Sequence, residues 1–135
     1  MKTRSLVALA GIIFLTIISS SCQQQTTPTI TPTEITPKLE TKNPHIRGEI
    51  VEIIKNNGKI SGLSIVGKKE ADTTYDKAFV GITDKTLILI MVNSKYKIIS
   101  SDDLKVNQVV AVLFTGPIAT SYPVQGYADE ILILQ

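Results

Sequence analysis

The chain contains the run Val109-Val110-Ala111-Val112-Leu113-Phe114, in which no side chain on either face of a strand would be polar. The stretch Leu87–Val92, which reads LILIMV, has the same property. Successive side chains of a strand point to opposite faces, so an open sheet with one face in water would alternate apolar and polar residues. Both faces of these strands must therefore be covered, and long apolar edges would promote aggregation. Closure of the sheet into a barrel satisfies both requirements.

Short runs rich in Ile, Val, Leu and Thr surround these two stretches, and no long helical period appears. Asn56-Asn57-Gly58 and Asn93-Ser94 supply residues that tolerate positive φ at turns, and Asp84-Lys85 has the length of a tight hairpin. Ser101–Leu104 predicts a single capped helical turn. The predicted strands are Arg47–Ile54, Lys59–Val66, Ala78–Thr83, Thr86–Val92, Lys95–Ser100, Val109–Phe114 and Tyr127–Leu134.

Four glycines, Gly48, Gly62, Gly67 and Gly81, lie inside or beside these predicted strands. Missing side chains permit the sharp coiling and the bulges that a small barrel needs. The sequence therefore predicts an all-β fold, a small and mostly antiparallel barrel of five or six strands that resembles an OB-fold. A two-layer β-sandwich is the alternative.

The N-terminal segment has the three parts of an export signal. Lys2 and Arg4 supply positive charge, Leu6–Ile18 is almost wholly apolar, and small serines follow. Because a spanning helix needs about 20 apolar residues, this run is short for a permanent anchor. We predict that residues 1–21 are a removable signal peptide.

The run Ile18-Ser19-Ser20-Ser21-Cys22 resembles the processing site of bacterial lipoproteins, which have a small residue before the cysteine. The usual pattern has a leucine-like residue three positions before the cysteine, where this chain has Ser19. The resemblance implies that Cys22 becomes a lipidated N-terminus, which would hold the protein on the outer side of a bacterial membrane. Plain secretion is the alternative.

Residues 22–44 are rich in Gln, Thr and Pro and have few large apolar residues. Such a segment buries too little surface to offset its ordering entropy, so we predict a disordered tether. Residues 45–135 are long enough for one small domain. Cys22 is the only cysteine, so this domain must be stable through its apolar core without a disulfide.

The formal charge of +2 includes the two basic residues of the signal peptide. Without Lys2 and Arg4, 12 basic residues remain against 12 acidic ones. Affinity for nucleic acid comes largely from concentrated Lys and Arg side chains. A neutral mature chain therefore gives no support to a nucleic-acid partner.

The C-terminal part of the chain carries a more specific pattern. It contains Leu104–Val110, then Phe114–Pro117, then Ser121–Gln125, and Ala128 before Ile131. These residues resemble a bacterial domain-of-unknown-function family numbered 3221, and the resemblance covers His45 to Leu134. The family usually has Gly where this chain has Asn107, which still allows a left-handed turn. The resemblance implies a small secreted or lipid-anchored protein with one such domain, and it implies no activity.

Tyr122, Pro123, Gln125 and Tyr127 form the candidate binding site, because an aromatic ring, a rigid ring and an amide lie together between two apolar strands. Tyrosine gives a large contact area with a polar tip and is common at interfaces. The structural alternative is that Pro123 fixes the loop while the two tyrosines plug one end of the barrel.

No catalytic or metal-binding constellation is predicted. His45, the only histidine, is expected to be solvated at the edge of the tether, and no orienting partner for a nucleophile is visible. Glu70, Asp72 and Asp76 lack the spacing of a dedicated calcium loop. The sequence thus predicts a non-enzymatic envelope module without a cofactor, bound to the membrane through its lipid and docking an envelope protein or polymer. A barrel that binds a small ligand or an ion is the alternative.

Overall fold

Seven strands form one mixed sheet in the computed structural model, which describes residues 35–135. Two 3₁₀ helices, Lys38–Glu40 and Ser101–Asp103, accompany them, and no helix among the described residues is long and apolar enough to cross a membrane. The predicted signal peptide, Cys22 and the first part of the tether lie outside the described residues. The strands are β1 (Ile46–Asn56), β2 (Lys59–Gly67), β3 (Lys77–Gly81), β4 (Leu87–Val92), β5 (Lys95–Ile98), β6 (Val109–Ala119) and β7 (Val124–Leu134).

Five of the strands close into a ring. They lie in the order β3, β2, β1, β6 and β7, and β7 pairs with β3 to complete the circle. The β3–β7 pairing is parallel, whereas the other four pairings of the ring are antiparallel. The prediction of a small, mostly antiparallel β-barrel is therefore confirmed. β4 and β5 form a hairpin outside the ring, with β4 paired to β7.

β3 and β4 both pair with β7, in parallel and at different places along it. β3 lies beside Val124–Tyr127, and β4 lies beside Glu130–Ile133. The tight hairpin predicted at Asp84-Lys85 is therefore wrong, because both strands run in the same direction and do not pair with each other. The Thr86 hydroxyl donates to the Ala128 carbonyl over 2.9 Å, in the gap between the two strands.

The interior of the ring is filled by apolar side chains, with Ile46, Ile50, Leu63, Ile65 and Ile131 fully buried. β1 and β2 approach closely where Gly48 pairs with Gly67. A Cβ at Gly48 would lie 2.5 Å from the Val66 carbonyl oxygen, and one at Gly67 would overlap the Arg47 carbonyl oxygen. These two glycines therefore permit the tight coiling of the barrel, as the sequence predicts.

The outer face of β6 is also buried. Val110 and Val112 point into the ring, so the alternation of the strand places Ala111 and Leu113 outside, yet both are covered. Residues 35–44, which we call the strap, lie against this side, with the first 3₁₀ helix touching β6 and β7 and Pro37 fully buried. The packed part of the chain thus begins before His45, where the sequence places the start of the domain.

Local turn chemistry agrees with the sequence. Asn57, Asn93, Ser94 and Asn107 all have positive φ, between 50° and 71°. Ser100 forms a capping box with Asp103 at the second 3₁₀ helix. β6 is longer than predicted, because positive φ at Gly116 and a shift of register let the strand continue past Gly116-Pro117 to Ala119.

Candidate functional site

A groove of about 660 Å³ lies on the outside of the ring, over β2, β3 and β7 and beside the end of β6. Its floor includes three glycines, and its wall is formed by the projecting part of the β6–β7 hairpin. The groove is lined by Ile54, Ser61, Gly62, Phe79, Val80, Gly81, Pro117, Ile118, Ala119, Gln125, Gly126 and Tyr127.

The parallel pairing of β3 and β7 positions the polar and aromatic side chains of the groove. Phe79 lies opposite Gln125, and Gly81 lies opposite Tyr127. Ala78 and Val80 are buried in the ring, so alternation places Phe79 and Gly81 on the outside. Four outward positions on two neighbouring strands therefore form one continuous surface.

Tyr127 lies close against the backbone of β3. A Cβ at Gly81 would lie 2.5 Å from Tyr127 Cδ1, so only glycine leaves space for this ring. Tyr127 is nevertheless 59% exposed, and Phe79 is 37% exposed. Both aromatic side chains therefore remain accessible from the groove.

The floor of the groove is also the roof of the core. The Phe114 ring lies inside the barrel beneath Gly126, where a Cβ would be 3.0 Å from Phe114 Cδ1. The Phe114 amide donates to His45 Nδ1 over 3.0 Å, and the two rings lie 5.6 Å apart. Packing below the groove is thus continuous with the start of β1.

No residue that lines the groove is charged. Its polar side chains are Ser61, Gln125 and Tyr127, which offer hydroxyl and amide groups. The Ser61 hydroxyl donates to the Ile54 carbonyl over 3.3 Å, and the Gln125 amide donates to the Ser121 hydroxyl over 3.3 Å. The groove is therefore suited to an uncharged ligand with one apolar surface.

Two of the four predicted site residues, Gln125 and Tyr127, line the groove, and Tyr122 and Pro123 do not. Tyr122 is 70% exposed, its hydroxyl donates to Asp76 over 3.1 Å, and the Lys77 Nζ lies 5.6 Å from its ring centroid. Neither tyrosine plugs an end of the barrel, because both are exposed on its outside. The structural alternative for the two tyrosines is therefore wrong.

Sequence reasoning missed Phe79, Gly81 and the wall formed by Pro117, Ile118 and Ala119. A usable pattern was present at β3, where Phe79 points away from the core and is followed two residues later by a glycine on the same face. The wall had no such pattern, because Gly116-Pro117 reads as the end of a strand.

His45 is not solvated as the sequence predicts. Its ring is half-buried beside Phe114, and its backbone amide donates to the Val112 carbonyl over 2.9 Å. Burial lowers the pKa of His45 below its ordinary value, with a smaller contribution from the charge of Lys42. The neutral ring thus joins the strap to β6 as a structural element.

The acidic loop after β2 is held by Arg47. The guanidinium binds both oxygens of Asp72, at 3.2 and 2.7 Å, and also pairs with Glu70. Hydrogen bonding to Arg47 lowers the pKa of Asp72. Among residues 35–135, no group of three or more His, Cys, Asp or Glu side chains is placed to hold a metal ion.

The fold and the groove define an all-β, OB-fold-like barrel with an open, uncharged surface site. No family model, curated protein or solved structure matches this chain. The resemblance to the domain family numbered 3221 therefore stays a prediction.

Proposed function

We propose that this protein is a non-enzymatic, lipid-anchored binding module of the bacterial cell envelope. Its groove would hold an uncharged, partly apolar segment of an envelope polymer or protein. The observation that carries the proposal is the pair of exposed rings, Phe79 and Tyr127, on a glycine-lined surface without any charged lining residue.

Burial of these rings would provide the main driving force for binding. Each Å² of apolar surface removed from water contributes about 25 cal/mol, and aromatic side chains bring large areas with few rotatable bonds. Ser61 and Gln125 would set the orientation of the ligand through hydrogen bonds. An uncharged ligand is favoured, because no lining side chain would compensate a charge that lost its water.

The proposed address rests on the sequence. Lys2 and Arg4, the apolar run Leu6–Ile18 and Cys22 have the arrangement of a lipoprotein export signal. A lipidated Cys22 would keep the module on the outer side of a bacterial membrane, within reach of the envelope. Secretion without lipid is the alternative address.

A small organic ligand in the same groove is the second candidate. A volume of about 660 Å³ falls within the usual range for small-molecule sites, about 300–1,000 Å³. The interior of the ring is filled by apolar side chains, so the groove is a better location for such a ligand than the mouth of the barrel. Ion binding has less support there, since no carboxylate lines the groove.

Site-specific photocrosslinking in living bacteria tests the groove. A photoreactive phenylalanine analogue replaces Tyr127 in the full-length protein, and the same analogue at Tyr122 is the matched control, because Tyr122 is also an exposed tyrosine but lies outside the groove. We expect a discrete crosslinked product from position 127 that is absent or much weaker from position 122. Loss of this product in a Phe79→Ser background would locate the ligand across both rings.

The mass of the crosslinked product separates the two candidates. An adduct of polymer or protein size supports docking, whereas an increase of a few hundred daltons supports a small ligand. Equal products from positions 127 and 122, or none from 127, would contradict a binding role for the groove. Membrane fractionation of Cys22→Ala tests the anchor separately, and a variant that remained membrane-bound after export would contradict lipidation.

A further inference from the structure

The β4–β5 hairpin projects from the barrel and exposes apolar side chains on both of its faces. Met91 and Val92 are consecutive residues of β4, so they point to opposite sides, and each is 44% exposed. Ile98 on β5 is 48% exposed. Exposed apolar side chains thus lie directly beside the Asn93-Ser94 turn at the end of the hairpin.

The same hairpin carries only positive charge. Residues 87–99 contain Lys95 and Lys97 and no Asp or Glu. Lysines close to exposed apolar side chains are the combination that binds an anionic lipid surface, because the lysines attract headgroup phosphates while the apolar side chains enter the interface. The β1–β2 hairpin, which belongs to the ring, differs because it carries both signs of charge. Lys55 and Lys59 flank its turn, and Glu52 lies on β1.

The strap is fixed to the side of the barrel from which the hairpin extends. The buried carboxylate of Glu130 accepts hydrogen bonds from the backbone amides of Lys38 and Leu39, over 2.9 and 3.1 Å. Glu130 pairs directly with Leu87, the first residue of β4. The Glu40 carboxylate of the strap lies beside Tyr96 on β5, where hydrogen bonding raises the pKa of the tyrosine.

This attachment limits how far the barrel can move from an anchor at Cys22. Residues 22–34 span at most about 45 Å when fully extended, whereas residues 22–44 would span about 80 Å if the strap were free. A docked strap therefore roughly halves the reach. The described part of the chain therefore starts on the β7–β4 side of the barrel.

We propose that the β4–β5 hairpin docks on the anionic surface of the bilayer that holds the lipid anchor, with Met91 and Val92 entering the headgroup region. Lys95 and Lys97 pair with lipid phosphates. This proposal rests on the anchor of the proposed function, and it is independent of what the groove binds. The lining of the groove includes no residue of the hairpin.

The composition of the chain gives a direct test. Cys22 is the only cysteine and the chain has no Trp, so a chain of residues 22–135, which contains all of the described residues 35–135, can be coupled to a maleimide lipid in vesicles. Val92→Trp then reports contact of the hairpin with acyl chains, through fluorescence quenching by brominated lipids. Val51→Trp is the matched control, because Val51 is an equally exposed strand residue outside the hairpin.

We expect the fluorescence of the Val92→Trp variant to be quenched strongly in vesicles that contain phosphatidylglycerol and weakly in phosphatidylcholine alone. The Val51→Trp variant should show little quenching in either. Lys95→Gln/Lys97→Gln is expected to lower the docked-to-undocked ratio about 25-fold, since each lysine near an anionic surface contributes about fivefold. Lys55→Gln/Lys59→Gln is expected to leave it unchanged.

Equal quenching at positions 92 and 51 would overturn the proposal, as would quenching that ignores lipid charge or the two hairpin lysines. Chemical coupling makes the test independent of lipid processing in the cell. A failure here therefore leaves the Cys22 and photocrosslinking tests intact, and their failure leaves this test interpretable. Thermal unfolding of each tryptophan variant confirms that the barrel is retained before the vesicle measurement is read.

Discussion

The outer surface of β7 is exposed along the first half of the strand and covered along the second half. Its first half, Val124–Tyr127, pairs with β3 and carries the exposed Gln125 and Tyr127 of the groove. Its second half pairs with β4 and carries Glu130 beneath the strap. One strand thus has an open outer surface at one end and a covered one at the other.

The difference shows why a closed ring alone does not account for the apolar runs. Closure buries Val110 and Val112, whereas Ala111, Leu113 and Leu89 lie outside the central core and are still buried. The strap covers that second surface near β6 and β7. Where no strap lies, the chain has glycines and aromatic rings, which leave a surface that can receive a ligand.

The largest expected loss of stability comes from a substitution in β4, which pairs with the covered half of β7. Leu89→Ala removes a fully buried side chain of β4 and is expected to lower the free energy of unfolding by about 3 kcal/mol, from lost burial and the cavity left behind. Met91→Ala, two residues along the same face, is expected to cost less than about 1 kcal/mol because Met91 is exposed. Urea unfolding measures both. Similar losses in the two variants would show that the outer face of β4 is not packed.

The next effect separates the strap from the barrel. Glu130→Gln keeps the size of the side chain but replaces one acceptor oxygen by a donor facing a backbone amide, so we expect a loss of about 2 kcal/mol in the free energy of unfolding. Faster hydrogen exchange at Lys38 and Leu39 should accompany it. Asp129→Asn weakens only the exposed pair with Lys38 and is expected to cost much less stability than Glu130→Gln. If exchange at the strap amides did not change in Glu130→Gln, the carboxylate would not be what holds the strap.

The features that the sequence predicts, strands and turns, depend on residues that are close together in the chain. The seven strands follow from short apolar runs, and the positive φ values at Asn57, Asn93 and Asn107 follow from the residues that tolerate them. The parallel pairings of β7 depend on contacts between distant segments, so Asp84-Lys85 read as a hairpin when the chain only steps along β7.

The strap and half of the groove were missed for a related reason. Pro37 lies in a Thr/Pro-rich segment, and Asp129-Glu130 reads as an ordinary charged pair, so nothing local shows that Glu130 is buried by distant backbone amides. In the groove, Gln125 and Tyr127 were predicted from their loop. Phe79 joins them only through the β3–β7 register.

A smaller effect sharpens the open half. Gly81→Ala places a methyl group 2.5 Å from Tyr127 Cδ1, and the exposed ring can move away, so we expect a stability loss of only about 1 kcal/mol. The displaced ring should change the groove, with large shifts in the NMR signals of Tyr127 and Gln125 and loss of the photocrosslinked product at position 127. Gly67→Ala is the contrasting variant, because its Cβ meets rigid backbone and the barrel should lose several times more stability. Equal losses in the two variants would contradict a mobile, functional ring at Tyr127.

The smallest expected effect is at His45, which contacts the Phe114 ring that also supports the groove floor. Burial lowers the pKa of His45 in the folded state, so protonation favours the unfolded state and also removes the Nδ1 acceptor of the Phe114 amide. The contribution of the neutral His45 ring to stability is therefore fully present above the unfolded pKa of about 6.5, and it is lost as the pH drops below that value. His45→Asn keeps an acceptor but cannot titrate, so the slope of unfolding free energy between about pH 5 and 7 should flatten in this variant. Asp72, whose folded pKa is lowered by Arg47, contributes its own loss only below about pH 4 and leaves that window clear. An unchanged slope in His45→Asn would show that the junction between strap, core and groove floor does not depend on the neutral ring.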